Sequence, residues 1–300
     1  MNNSINSSAK LPAIVLVLLI VDSLHYVFAR LLLPYLNPIV SSFYYMTIAA
    51  IQIAIFAAVR RQIDWRIFRD HAKFFLAIGF LIAVATSTSY AAVIYIDPGT
   101  ASMIARMNTI FALGFGILWL KERLVQGEKI GAFLAVIGVF VISIQPGGSN
   151  NLLWLGTLLV LGSTFSYALH AAIVKRYGGE IQFTNFFLFR MASSCLFLFI
   201  FALGSGELVW PSGRDVWLIL IITATVNVTI SRSLYYLVLR RFRLSIFTII
   251  LTISPVITIL WSVALFDERP TPQSLLGGAA VIVGVILVSL SRRGKRVRSS

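Results

Sequence analysis

Ten stretches of mainly apolar residues follow one another almost without interruption: 11–33, 38–59, 73–95, 99–120, 127–145, 152–174, 182–203, 215–238, 244–266 and 272–291. About 20 such residues in a helix cross the hydrocarbon core of a bilayer. In lipid every backbone N–H and C=O must be bonded within the chain, so runs this long and continuous fold as spanning helices. A barrel would show short alternating segments instead. The chain is 58% hydrophobic and 12% charged, about half the charge of a soluble domain. No soluble domain fits between the runs. The expected fold is an all-α polytopic membrane protein of ten transmembrane helices. Lys10 followed by Leu11–Val21 looks like a signal peptide, but the run continues past Asp22 to Leu33, so it reads as the first span.

The connections are short and rich in turn residues: Asp97-Pro98-Gly99, Pro146-Gly147-Gly148, Tyr177-Gly178-Gly179, Pro211-Ser212-Gly213 and Pro270-Thr271-Pro272. With the N-terminus in the cytoplasm, one side collects Lys10, Arg60, Arg61, Arg66, Arg69, Lys73, Lys121, Arg123, Lys129, Lys175, Arg176, Arg240, Arg241, Arg243, Arg292, Arg293, Lys295, Arg296 and Arg298. The other keeps only Arg30, Arg214 and Arg269. That bias sets both termini inside. The formal charge of +14 is thereby explained as a topology signal, and nucleic acid is not expected as a partner because no basic groove with interleaved aromatics is visible. The single Cys195 excludes an internal disulfide and a CxxC metal site. His25, His71 and His170 lack zinc-ligand spacing. No metal or cofactor is expected.

One motif occurs twice, 146 positions apart. Glu122-Arg123 and Glu268-Arg269 each lie between apolar runs, and each is followed by glycines at one spacing, Gly131/Gly138 and Gly277/Gly284. The heptad interval suits close helix packing, and the Glu-Arg pairs are expected to fix their turns. Tyr90 matches Tyr236 at the same offset, and Arg190-Met191 matches Tyr45-Met46 at 145. Ten spans divide into five and five, and an odd number per half inverts the second copy. The expected organisation is a cytoplasmic tail (1–10), a five-helix repeat (11–145), a second inverted five-helix repeat (152–291) and a basic cytoplasmic tail (292–300). Inverted repeats place a transport site near the midplane between the halves, where the repeats rock in alternating access.

Ionisable groups within spans are costly and usually face a cavity or a partner. Asp22 and Arg106 lie within roughly 5 Å of each other in depth at 1.5 Å per residue, which makes them a plausible pair. His25 shares a helix face with Asp22. Asp22 has three open readings: a proton acceptor that couples transport, a structural partner of Arg106, or a substrate contact. Arg190 and Arg232 either snorkel to the headgroups or receive an anionic group; three span arginines against one aspartate favour a ligand with a carboxylate or phosphate. The hydroxyls of 86–89 and 223–233 are mostly packing groups that bond their own helix, whereas the Asn227 amide needs another partner. Tyr90 either lines the pathway or packs. The candidate pathway residues are therefore Asp22, His25, Tyr90, Arg106, Arg190, Asn227 and Arg232.

The run Ser254-Pro255-Val256-Ile257, then Asp267-Glu268-Arg269, Gly277 and Gly284, resembles the EamA-type domain of the drug/metabolite transporter superfamily. Ser233–Arg240 and the placement of Arg190 early in span seven are similar to it as well, and the resemblance covers about 11 to 291. It implies export of amino acids or similar metabolites across the cell inner or plasma membrane. The alternative is an exchanger of phosphorylated or nucleotide-linked metabolites; other classes are a passive channel or a membrane scaffold. No Walker loop, HExxH or GxSxG occurs, so neither ATP-driven transport nor intramembrane hydrolysis is expected.

Overall fold

The computed structural model describes residues 5–120, 125–143, 152–179, 181–234 and 251–298. Nine helical spans in them are long and apolar enough to cross a membrane, and Ser254–Phe266 is a shorter apolar helix. The protein is an all-α polytopic membrane protein. The first hairpin, with Glu122-Arg123, and part of the ninth expected span lie outside the described residues.

Four expected single helices are interrupted, span nine among them at Thr252 and Ile253. Span one is α1 (Ile5–Ser23) and α2 (His25–Leu32), parted at Leu24. Span four is α6 (Pro98–Ile104), a tight turn at Ala105–Met107 and α7 (Asn108–Leu120). Span eight begins as α11 (Arg214–Thr223) and widens into a π-helix over Ala224–Ile230. The others are continuous: α3 (Pro38–Val59), α5 (Ala72–Ala92), α8 (Gln126–Ser143), α9 (Leu153–Tyr177) and α10 (Phe183–Gly204). The chain closes with α12 (Ser254–Phe266) and α13 (Pro272–Arg298), whose helix runs on through the segment expected to be a tail. A short α4 (Trp65–Asp70), with Trp65 exposed, joins α3 to α5.

The turn residues act as caps. Asn37 Oδ1 accepts from the Ile39 N–H at 2.9 Å, with Pro38 opening α3. Asp97 Oδ1 accepts from the Thr100 N–H at 2.8 Å, with Pro98 opening α6. Each satisfies an N–H that the first turn leaves free, and proline is suited to that first position. Asp267 ends α12 in the left-handed region at φ 53°.

The repeated glycines meet one another. A Cβ at Gly131 would lie 2.5 Å from the Gly284 carbonyl oxygen, and one at Gly138 would lie 2.5 Å from that of Gly277. Sequence number rises along α8 as it falls along α13, so the two helices run antiparallel with backbones in contact. Between lipid-solvated helices there is no hydrophobic gain from association; close van der Waals approach supplies it, and only glycine permits the distance. Gly79 on α5 is packed against Ser193 on α10 in the same manner. Large apolar side chains such as Ile55, Leu118, Phe133, Leu260 and Leu276 point outward, as lipid-facing groups do.

This packing is testable. Gly277→Ala should lower the thermal unfolding midpoint of detergent-solubilised protein by several degrees, from overpacking of about 1–3 kcal/mol. Gly162→Ala, where the added carbon meets nothing within 4 Å, should leave the midpoint unchanged or raise it slightly. Equal midpoints for the two variants would contradict the interface.

Candidate functional site

The breaks position the site. Offset by 146, the tight turn at 105–107 corresponds to the interruption at Thr252 and Ile253 that precedes α12. The two halves thus break at equivalent places, and Leu24 interrupts span one beside them. Broken helices at corresponding positions of two repeats mark transporter binding sites, because irregular backbone at membrane depth survives only against protein or a cavity. Here the breaks border a cavity of about 340 Å³, roughly midway along the spans.

At one end stands Asp22. The Arg106 Nη2 lies 3.8 Å from Asp22 Oδ2, and the same oxygen accepts from Ser254 Oγ at 3.1 Å. Arg106 Nη1 donates to the Leu251 carbonyl at 2.8 Å, a group at the start of the interruption. Thr258 Oγ1 donates to the Ser23 carbonyl at 2.9 Å, beside the other break. The depth argument had matched Asp22 to Arg106, and the geometry brings them together.

His25 is held from two sides. Ser89 Oγ donates to the Thr86 carbonyl at 2.9 Å, so its lone pair accepts from His25 Nε2–H at 3.2 Å. The Asn227 amide donates to His25 Nδ1 at 3.1 Å. The ring therefore carries its hydrogen on Nε2. Tyr26 and Tyr90 contact it edge-on, with centroids 5.0 and 5.6 Å away.

Further arginines border the cavity. Arg190 is only 7% exposed, with its guanidinium 4.8 Å from the Phe187 ring centre and 5.9 Å from that of Phe186. The snorkelling alternative fails for Arg190, because its head lies inside the bundle. His170 and Arg232 border the same space, and the His170 Nε2 has no hydrogen-bond partner among the described residues.

Asp22, His25, Arg106, Arg190, Asn227 and Arg232 thus share one cavity. Tyr90 does not line it: it stands behind His25, stacked on Tyr45 at 4.9 Å, and its counterpart Tyr236 is outside the described residues. Sequence reading passed over Ser254, Thr258 and Tyr167, whose hydroxyl lies 3.2 Å from Thr86 Oγ1; lone hydroxyls in spans are too common to stand out. Glu268 departs from expectation. It does not cap its own turn but pairs with Arg30 of α2, while Arg30 also donates to the Val93 carbonyl at 3.2 Å. At the same face Asn37 bonds Glu207, and Tyr44 donates to the Val209 carbonyl at 3.0 Å. These bonds tie loops of the second half to helices of the first.

The model of the EamA-like transporter family matches residues 11–144 and 154–290. An uncharacterized transporter of Archaeoglobus fulgidus is 24% identical over 264 residues, covering 86% of this chain and 91% of that one. The uncharacterized transporter YdfC of Bacillus subtilis is 24% identical over 195 residues, 65% of this chain and 63% of its own. A crystal structure superposes with a TM-score of 0.63 at 17% identity, over 95% of this chain and 98% of that one, which speaks for the fold.

The ion pair gives a second prediction. Asp22→Asn and Arg106→Gln should each destabilise the protein, since each strands the other's charge. The double variant should recover part of the loss. A thermal-unfolding mutant cycle should return a coupling of about 0.5–3 kcal/mol; strictly additive losses would show that the two groups do not interact.

Proposed function

The chain belongs to the EamA-like transporter family, and on that premise we propose that it is a secondary active transporter that exports small polar metabolites, amino acids foremost, by alternating access. The observation that carries the reading is the cavity of about 340 Å³ at the paired helix breaks, lined by one carboxylate, Asp22, and by Arg106, Arg190 and Arg232. Pockets for small molecules run from roughly 300 to 1,000 Å³, so this volume suits an amino acid and disfavours a nucleotide-linked sugar. The positive charges of Arg190 and Arg232 on the cavity lining favour a substrate carboxylate; a phosphorylated metabolite of similar size is the second reading that this charge supports.

In the proposed cycle the substrate carboxylate is drawn to Arg190, whose planar fork is held by Phe187. The substrate ammonium faces Asp22, where Oδ2 is engaged by Arg106 and Ser254 and Oδ1 remains to accept. Tyr26, Ile82 and Met191 provide apolar wall for a side chain. The two halves then rock about the glycine-packed helices, and the bonds of Arg30 and Glu268 break as the opposite face opens. We place the protein in the inner or plasma membrane with both termini cytoplasmic. The substrate leaves chemically unchanged, no cofactor takes part, and a proton on Asp22 is the candidate coupling ion.

Proteoliposomes loaded with labelled amino acids, with and without a pH gradient, test this. Flux that responds to the gradient, and loses the response in Asp22→Asn, is expected. Arg190→Gln should raise KM by about tenfold or more, the loss of a charge-assisted bond worth roughly 1.5–3 kcal/mol. Absence of flux for every amino acid and phosphorylated metabolite would remove the transport reading.

A further inference from the structure

The π-helical stretch Ala224–Ile230 is fastened by one residue that does not touch the cavity. Gln52 lies inside α3, and among the described spans no other glutamine is placed so deep. A primary amide at that depth costs several kcal/mol unless bonded. Its whole bonding capacity toward span eight is spent on two threonines of the widened turn. Gln52 Nε2 donates to Thr225 Oγ1 at 2.8 Å, and Thr229 Oγ1 donates to Gln52 Oε1 at 2.8 Å. The donors run in one consistent sense, because Thr225 passes its own hydrogen to the Ile221 carbonyl at 2.8 Å. Thr229 Oγ1 also lies 3.4 Å from the carbonyl of Ala224, five residues back, the separation that defines a π turn.

Asn227 sits between those two threonines, on the opposite side of the stretch, and it is the group that fixes His25. A π turn holds one residue more than an α turn. Should the stretch relax to α geometry, the helix on one side turns by about 100° against the other, one residue's rotation. Asn227 would then leave His25, or Arg232 would leave the cavity. The two threonines span one such turn, and a single amide bonded to both sets its width.

We propose that Gln52 is a positioning residue of the candidate site: reaching from the first half of the chain, it holds the π turn of the second half open, and through it keeps Asn227 on His25. Gln52 makes no contact with substrate in this role. The proposal rests on the reading of the cavity as the transport site for its consequence, and on geometry alone for the positioning itself.

The test separates the two. Full-length protein with ¹⁵N-labelled histidine is placed in lipid bilayers, and the His25 ring signals, identified by their loss in His25→Gln, are read by solid-state NMR. The wild type should show one ring form, with hydrogen on Nε2 and Nδ1 as acceptor. Gln52→Leu, and separately Thr225→Val/Thr229→Val, should lose that single form. Thr225→Ser/Thr229→Ser, which keeps both hydroxyls, should retain it. Gln52→Leu leaves no stranded donor, since each threonine still has a carbonyl of its own helix within reach, and the variant is expected to fold. An unchanged His25 form in Gln52→Leu overturns the proposal, as does its loss in the serine pair. In proteoliposomes, for the ¹⁴C-amino acid with the largest wild-type flux, Gln52→Leu should raise KM at least fivefold with kcat within about twofold; the reverse pattern overturns the link to the site. If no labelled amino acid moves in the wild type, the amino-acid reading fails while the NMR result still decides the positioning.

Discussion

A bilayer offers no water to a free backbone carbonyl, and this one constraint governs where the chain is allowed to be irregular. Two of the interruptions have a neighbouring carbonyl taken by a side chain from the opposite half. Arg106 of the first half donates to Leu251 O of the second, and Thr258 of the second donates to Ser23 O of the first. The bonds run in both directions between the halves. They also make the cavity and the joint between the halves one object: the groups that border the binding space are the groups that let the helices break.

The same exchange sets the electrostatics. Asp22 and Arg106 are each about one-fifth exposed, toward the cavity. At 3.8 Å the pair is loose for an ion pair, and Arg106 divides its donors between Asp22 and Leu251. A carboxylate whose partner is shared, and which has one oxygen still to offer, is suited to trade that partner for an arriving cation or proton. A tightly closed bidentate pair would resist the trade. Arg190 is the contrasting case. Its guanidinium is laid over Phe187 and Phe186, a stacking that fixes the plane of the fork.

The fold was legible because its signals are collective. Twenty apolar residues in a row, a charge bias along whole connections, and glycines repeated at one spacing survive any single substitution. The repeated glycines meet in the structure, Gly131 against Gly284 and Gly138 against Gly277. The charged part of the site was legible for a related reason: Asp22, Arg106 and Arg190 stand out in apolar runs because burying them is expensive. The rest was hidden. Ser254 and Thr258 look like the many hydroxyls that bond their own helix, and Thr258 does that too, with Ser254 O at 3.1 Å. The breaks at Leu24 and 105–107 leave no proline or glycine at the break itself. Gln52 was within reach of sequence reasoning: a lone amide in a span carries the same demand for a partner that singled out Asn227.

Polar bonds join the halves at both faces: Arg30 to Glu268, Asn37 to Glu207 and Tyr44 to Val209 on one, Thr184 to Gln62 and the Asp64 N–H to Asn185 on the other. Exposed bonds of this kind are individually weak, each of order 1 kcal/mol or less, so together they bias an equilibrium rather than lock it. The glycine contacts between α8 and α13 are of another kind, since backbone in contact with backbone has no slack to give. In the proposed cycle, motion between the halves falls on these weak polar bonds and on the breaks around Asp22, while α8 and α13 serve as the hinge. In that cycle the second copy of the repeated motif does two mechanical jobs: its glycines form the pivot, and its glutamate forms a latch that the pivot must release.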